Sequence, residues 1–174
     1  MMIVPTLRFP HKPPSSVVAA RNWHWQYVAD NLRPDEQAHW LALTGFSHYV
    51  PDDAAKAWMN SPSIKMAIIG KNGYPLVAGG SILVRPGSID LWMCGTPEGW
   101  KTGWREITKG VRWFMGQQFK AGARRLQIVT LQSRTEACQW YKDALGMQLE
   151  GTHPKAGANG ETLVTYSRVV GGSP

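Results

Sequence analysis

The chain has 174 residues, 43% of them hydrophobic, and a formal net charge of +7. That length suits one domain, large enough to bury about 70% of its unfolded surface without a disulfide or metal staple. The composition excludes wholesale disorder, and no apolar run approaches the ~18 residues of a membrane span.

Residues 1–16 hold four of the twelve prolines. They read as a short strand near Ile3–Arg8 followed by an extended arm. Ser15 or Ser16 is placed to cap a helix over Val17–Asn31, where Val17, Ala20, Trp23, Tyr27 and Val28 approximate helical spacing. Pro34 opens a helix over Asp35–Thr44, with two acids in its first turn and Gly45 at its end. Pro51-Asp52-Asp53 opens a third helix to about Met59, and Ser61-Pro62 stops it.

Strand-rich sequence follows. Lys65–Gly70 is a short apolar strand, Asn72-Gly73 is a hairpin signal, and Tyr74–Val84 is the returning strand. Gly79-Gly80 marks a bulge or a close backbone approach. Arg85-Pro86-Gly87 turns the chain into a strand over Ile89–Cys94. A helix is expected over Thr102–Lys120. One of its faces carries Trp104, Ile107, Val111, Phe114 and Met115, and another carries Lys101, Arg105, Lys109 and Arg112. Leu126–Thr130 reads as a strand, Arg134–Ala144 as a helix, Met147–His153 as a strand and Thr162–Val169 as the last strand. The expected organisation is therefore an N-terminal strand and Pro-rich arm over 1–16, one domain over 17–170, and a frayed tail over 171–174.

The stretch from Arg125 to Gly151 is the most informative. It is strand, amphipathic helix and strand, with Trp140 and Tyr141 in the helix and Gly146 where the helix stops. This resembles the last third of the GCN5-related N-acetyltransferases, the GNAT superfamily, and the element order matches that superfamily over nearly the whole chain. The resemblance implies a mixed α/β fold, a single GNAT-like domain with a twisted, mostly antiparallel sheet and helices on both faces. It also implies a sheet splayed between Ile89–Cys94 and Leu126–Thr130 to form a cleft, and acetyl-CoA as cofactor. Trp140 to Met147 is also similar to a turn of glyoxalase-like modules, but only one such turn occurs and a second module is missing.

An acyl-CoA pyrophosphate needs a glycine-rich turn feeding a helix N-terminus, where free N–H groups and the dipole point outward. The GNAT loop reads Arg/Gln-x-x-Gly-x-Gly/Ala. Pro97 and Glu98 match its approach and Gly103 its first glycine, but Trp100 stands in the Arg/Gln place and Arg105 in the last Gly/Ala place. The cofactor-binding residues implied are Cys94, Gly95, Thr96, Gly103, Trp104 and Arg105. Arg105 either fills the pyrophosphate space or binds phosphate directly. Tyr141 matches the tyrosine that protonates the departing thiolate. Its interval to Gly146 is one residue longer than the family's Y-x-x-x-G, and packing against the sheet is the other reading of Trp140 and Tyr141. Asp90 is the candidate general base. Glu136 is explained by the dipole of its helix, and His24 and His39 read as solvated or core histidines. Cys94 and Cys138 form no C-x-x-C or Cys/His cluster, so no metal site is expected and a reducing compartment suits the chain.

Tyr27–Asp35, Asn72–Gly80 and Leu91–Thr96 resemble a degenerate GNAT branch of bacteriophage proteins, among them internal virion protein A of short-tailed phages. That resemblance implies a phage virion or host-cytoplasm setting and other virion proteins as partners. Packaged DNA would meet the Lys101, Arg105, Lys109 and Arg112 face; CoA phosphates or plain solvation also suit that face. Two functions stand open: a virion-associated or ejected protein with weak or no transferase activity, and an active acetyl-CoA-dependent N-acetyltransferase acting on an amine.

Overall fold

The computed structural model describes residues 12–170. The strand expected near Ile3–Arg8 and the tail at 171–174 lie outside the described residues. The elements run β1 (Val17–Ala19), α1 (Asn22–Asp30), α2 (Pro34–Thr44), α3 (Pro51–Asn60), β2 (Ile64–Ile69), β3 (Pro75–Arg85), β4 (Ser88–Gly95), α4 (Pro97–Thr102), α5 (Trp104–Lys120), β5 (Arg125–Leu131), α6 (Thr135–Asp143), β6 (Gln148–His153) and β7 (Leu163–Val169). No described helix is long and apolar enough to cross a membrane.

Two segments differ from the sequence expectation. The helix expected over Val17–Asn31 begins only at Asn22, and Val17–Ala19 pairs antiparallel with Met66–Ile68. The β-branched Val17 and Val18 favour extended backbone, and the open edge of β2 supplies the ladder that helical spacing could not anticipate. The helix expected over Thr102–Lys120 is two helices, α4 and α5, meeting at Gly103. Thr96 caps the first by accepting a hydrogen bond from the Gly99 N–H at 3.1 Å.

The seven strands form one sheet in the order β1-β2-β3-β4-β5-β7-β6. Every neighbouring pair is antiparallel except β4 and β5. Side-chain alternation gives the sheet two buried faces. Ile68, Val77, Leu91, Leu126 and Val164 pack under α5 and α6 with Ile107, Phe114 and Met115. Ala67, Ala78 and Trp92 pack under α1 and α3 with Trp25, Val28 and Trp58.

Gly79 and Gly80 resolve as a close backbone approach. The β2–β3 register runs unbroken past both. A Cβ on Gly79 would stand 2.3 Å from the Trp92 carbonyl oxygen and 2.9 Å from Met93 Cα. Backbone at that distance cannot yield as a flexible side chain would. Gly79→Ala should therefore destabilise the fold by about 2 kcal/mol, the scale of core overpacking. Gly116, inside α5 with nothing within 4 Å of its Cβ position, should behave oppositely. Gly116→Ala should stabilise by roughly 0.5–1 kcal/mol through helix propensity. Urea midpoints of the two variants check both signs.

Candidate active site

The parallel β4–β5 pair holds for only three residues, Ser88–Asp90 against Arg125–Gln127. β3 keeps β4 in place as far as Gly95, and β7 keeps β5 in place as far as Leu131. The two strands therefore part in mid-sheet. Two cavities open along the parting. The larger, about 380 Å³, is lined on one side by His39 and Trp40 of α2 and Trp58 of α3, and on β4 by Asp90 and Trp92. The smaller, about 240 Å³, lies between Trp100, Trp104 and α6. Glu36, Met93, Trp140 and Tyr141 line both.

A buried charge cluster bridges the gap. Arg134, at the start of α6, donates to Asp35 Oδ2 at 3.0 Å, to His39 Nδ1 at 3.0 Å and to Thr130 Oγ1 at 3.2 Å. Its Nη2 lies 3.5 Å from Glu36 Oε1. Glu36 in turn accepts from the Gly95 N–H, 3.0 Å from each oxygen, and the Arg33 N–H reaches the Gly95 carbonyl at 3.4 Å. The first turn of α2 thus supplies the partners that β5 would have given the end of β4, because a buried backbone group must be paired.

Burial sets the ionisation of the cluster. It raises the Glu36 carboxyl to about 7, against the opposing pull of Arg134, Arg33 and the Gly95 N–H. It lowers His39 to about 4, with the Arg134 charge adding to the effect. His39 is therefore neutral at pH 7. Its Nδ1 accepts from Arg134, so Nε2 carries the hydrogen. Burial is also the largest influence on Arg134 and opposes its charge, but Tyr141, Glu36 and Asp35 together outweigh it.

The structure brings Tyr141 and Asp90 to one cavity. Tyr141 is buried on α6, and burial pushes its hydroxyl up to about 12, partly offset by Arg134. Asp90 stands on β4 with its Oδ1 buried and without a hydrogen-bond partner among the described residues. Cys94 lines the same cavity, its thiol raised well above the usual range by burial.

The expected phosphate-loop residues are arranged differently from one another. The Gly95 backbone is taken by α2, and the Thr96 hydroxyl donates to the Leu76 carbonyl while capping α4. Gly103 is buried, and a Cβ there would meet Leu76 Cδ1 at 2.4 Å. Its N–H is spent on the Gly99 carbonyl at 2.8 Å. Trp104 and Arg105 are exposed, with the guanidinium 4.9 Å above the indole. Trp100 turns inward, edge-on to Trp140 at 5.0 Å, and its Nε1 lies 2.5 Å from where a Gly95 Cβ would stand. Of the basic face, Lys101, Arg105 and Lys109 are exposed, and Arg112 donates to the Ala144 carbonyl at 2.6 Å, tying α5 to the end of α6.

Comparison with known proteins bears on the fold. The sequence matches no protein-family model and no curated protein at a significant level. Solved structures do match. A GCN5-related N-acetyltransferase from Kribbella flavida superposes with a TM-score of 0.64 at 14% identity, covering 88% of this chain and 96% of that one. A spermidine N-acetyltransferase from Vibrio cholerae gives 0.66 at 11% identity, covering 90% and 95%. The fold is that of the GNAT acetyltransferases. A phosphinothricin acetyltransferase of that superfamily from Sinorhizobium meliloti, in complex with AcCoA, gives 0.63 at 13% identity, covering 91% of each chain.

Glu36, Arg134 and Thr130 are the residues of this cleft that sequence reasoning missed. Glu36 looked like an ordinary first-turn acid, and the dipole explanation hid it. The one available signal was its pairing with Asp35 immediately after Pro34.

The raised Glu36 group makes a signed prediction. Its folded value of about 7 exceeds the ordinary 4.5, so the folded protein holds a proton that the unfolded chain has released. That contribution favours folding at low pH and is lost as pH rises through about 7. His39, lowered from 6.5 to about 4, works in the opposite sense below pH 6.5. Measuring wild type against Glu36→Gln at each pH cancels the His39 share. The stability of wild type relative to the variant should fall by roughly 2–3 kcal/mol between pH 5 and pH 8. Urea unfolding across that range is the check.

Proposed function

We propose that this protein is an acyl-CoA-dependent N-acyltransferase that moves an acetyl group onto an amine held in its sheet cleft. The observation carrying the reading is the parting of β4 and β5 beside Tyr141, in a fold whose solved relatives include one in complex with AcCoA. The smaller cavity, between Trp100, Trp104 and α6, suits a thioester arm, and the larger one suits the acceptor. Acetyl-CoA would supply the activated acetyl group. Tyr141, protonated at any physiological pH, stands on the shared wall and supplies the proton to the departing sulfur. Glu36 lines both cavities and, with a pKa of about 7, has the proton affinity of a base that receives the amine's proton relayed through water along the cleft. The bound ammonium gives up one proton to become the nucleophile and a second as the carbon–nitrogen bond forms, one passing to Glu36 and the other to water, while the carbon–sulfur bond breaks and Tyr141 protonates the sulfur. Asp90, expected from the sequence as the base, here anchors the amine instead.

The loop supports a second reading. The amides of Gly99, Trp100 and Gly103 are spent on α4's own Thr96 and Gly99 oxygens, leaving fewer donors for a pyrophosphate. A phage protein with weak or no transferase activity, in a virion or the host cytoplasm, would carry such a loop. Its partners would be other virion proteins and packaged DNA, the latter against Lys101, Arg105, Lys109 and Arg112.

Calorimetry with acetyl-CoA separates the two. The first reading expects saturable binding below millimolar concentration. It also expects Tyr141→Phe to lower kcat by about 100-fold or more, with affinity changed by less than threefold. No binding at millimolar acetyl-CoA would favour the second reading, and a fixed copy number in salt-washed phage particles would then be its positive sign.

A further inference from the structure

Three buried polar atoms on residues lining the larger cavity lack an ordinary hydrogen bond among the described residues: Asp90 Oδ1, Trp92 Nε1 and His39 Nε2. Buried polar atoms are nearly always paired, so three on one chamber define a ligand's complement. Asp90 offers an anionic acceptor. Trp92 Nε1 offers a neutral donor. His39 Nε2 offers a second, which it shares with the Val129 backbone. Asp90 and Trp92 stand two residues apart on β4, so they share a face at about 7 Å along the strand.

The rest of the chamber is mostly apolar, with Trp40 and Trp58 beside a few polar groups, Glu36, Thr44, Ser61 and Tyr141. The nearest cation is already committed, since Arg134 is shared among Asp35, Glu36, His39 and Thr130. A ligand carboxylate would meet only neutral donors there, beside Asp90 and Glu36, and would not recover its desolvation cost. An ammonium, by contrast, meets Asp90 and indole faces. The volume of about 380 Å³ suits a small molecule.

We propose that the amine acetylated here is a compact, apolar amino alcohol or amino-acid amide. Its ammonium is held by Asp90, its uncharged oxygen by Trp92 Nε1–H with His39 Nε2–H alongside, and its apolar body packs against the contacting pair Trp40 and Trp58. This assignment rests on the acyltransferase reading above and names the acceptor of that same site. Asp90 is a binding residue in it, and Trp92 determines specificity.

Leucinol and isopentylamine share a skeleton and differ by one hydroxymethyl group. Their binding to the full chain without acetyl-CoA, followed by calorimetry and tryptophan fluorescence, tests the chamber by itself. Leucinol should bind about tenfold tighter than isopentylamine, the worth of one good hydrogen bond. It should also bind at least tenfold tighter than leucine or spermidine. Asp90→Asn should weaken leucinol by tenfold or more. Trp92→Phe keeps a ring and removes the N–H, so the preference for leucinol over isopentylamine should shrink to under twofold. Should that variant fail to fold by circular dichroism, the wild-type ratio and Asp90→Asn decide. Equal affinity for leucinol and isopentylamine, a preference that survives Trp92→Phe, or no saturable amine binding would overturn the proposal. The two readings fail separately. Leucinol binding without acetyl transfer would sink the transferase and keep the chamber. Transfer to spermidine or leucine without leucinol binding would do the reverse.

Discussion

β4 and β5 remain hydrogen-bonded over three residue pairs and then diverge, and the site follows from where they part. A sheet interior cannot simply open, because the freed backbone groups need partners. At the end of β4 the partners come from α2, through Arg33 and Glu36 on Gly95. Further back, alternation along the strand turns the Met93 backbone groups to the same side as those of Gly95, into the gap. Met93 lines both cavities. The opening is thus closed at its far end by a helix and left accessible in the middle.

Closing the gap with a carboxylate has a consequence for the whole cluster. Glu36 is almost fully buried, so it needs a cation, and Arg134 reaches it from the other side of the opening. One guanidinium then holds α2, β5 and α6 together through Asp35, Glu36, His39 and Thr130. Such buried ionic groups add little net stability compared with apolar packing. What they supply is position. The helix carrying Tyr141 is fixed relative to β4 by a bidirectional set of hydrogen bonds that apolar contacts would not specify.

The fold was largely legible because its signals are local. Proline starts, glycine stops and two hydrophobic periodicities placed α2, α3 and the β2–β4 meander within a residue or two of their observed bounds. The two misplacements both came from non-local choices. Val17–Ala19 is a strand because β2 has a free edge, and α4 separates from α5 because Gly103 must lie against Leu76. The site was less legible. Tyr141 and Asp90 do line one cavity, but the cluster around Arg134 joins residues about a hundred positions apart, and no spacing rule reaches that far. The loop shows the same limit. Gly103 was legible as a required glycine, whereas its contact with Leu76 is a tertiary fact.

Burial in one cleft acts on two acids and leaves them in different states. Desolvation raises both Tyr141 and Glu36, because it disfavours the charged form of each. A phenol starting near 10 and moved to about 12 is always protonated at neutral pH. A carboxyl starting at 4.5 and moved to about 7 is divided between its two forms there. The shared burial therefore yields one standing proton donor and one group poised to accept. Arg134 moderates both shifts, pulling each toward its charged form. Without that cation Glu36 would sit higher still and be a poor base at neutral pH. The guanidinium that bridges the parted strands is thus also what keeps the carboxyl within range of neutral-pH proton transfer.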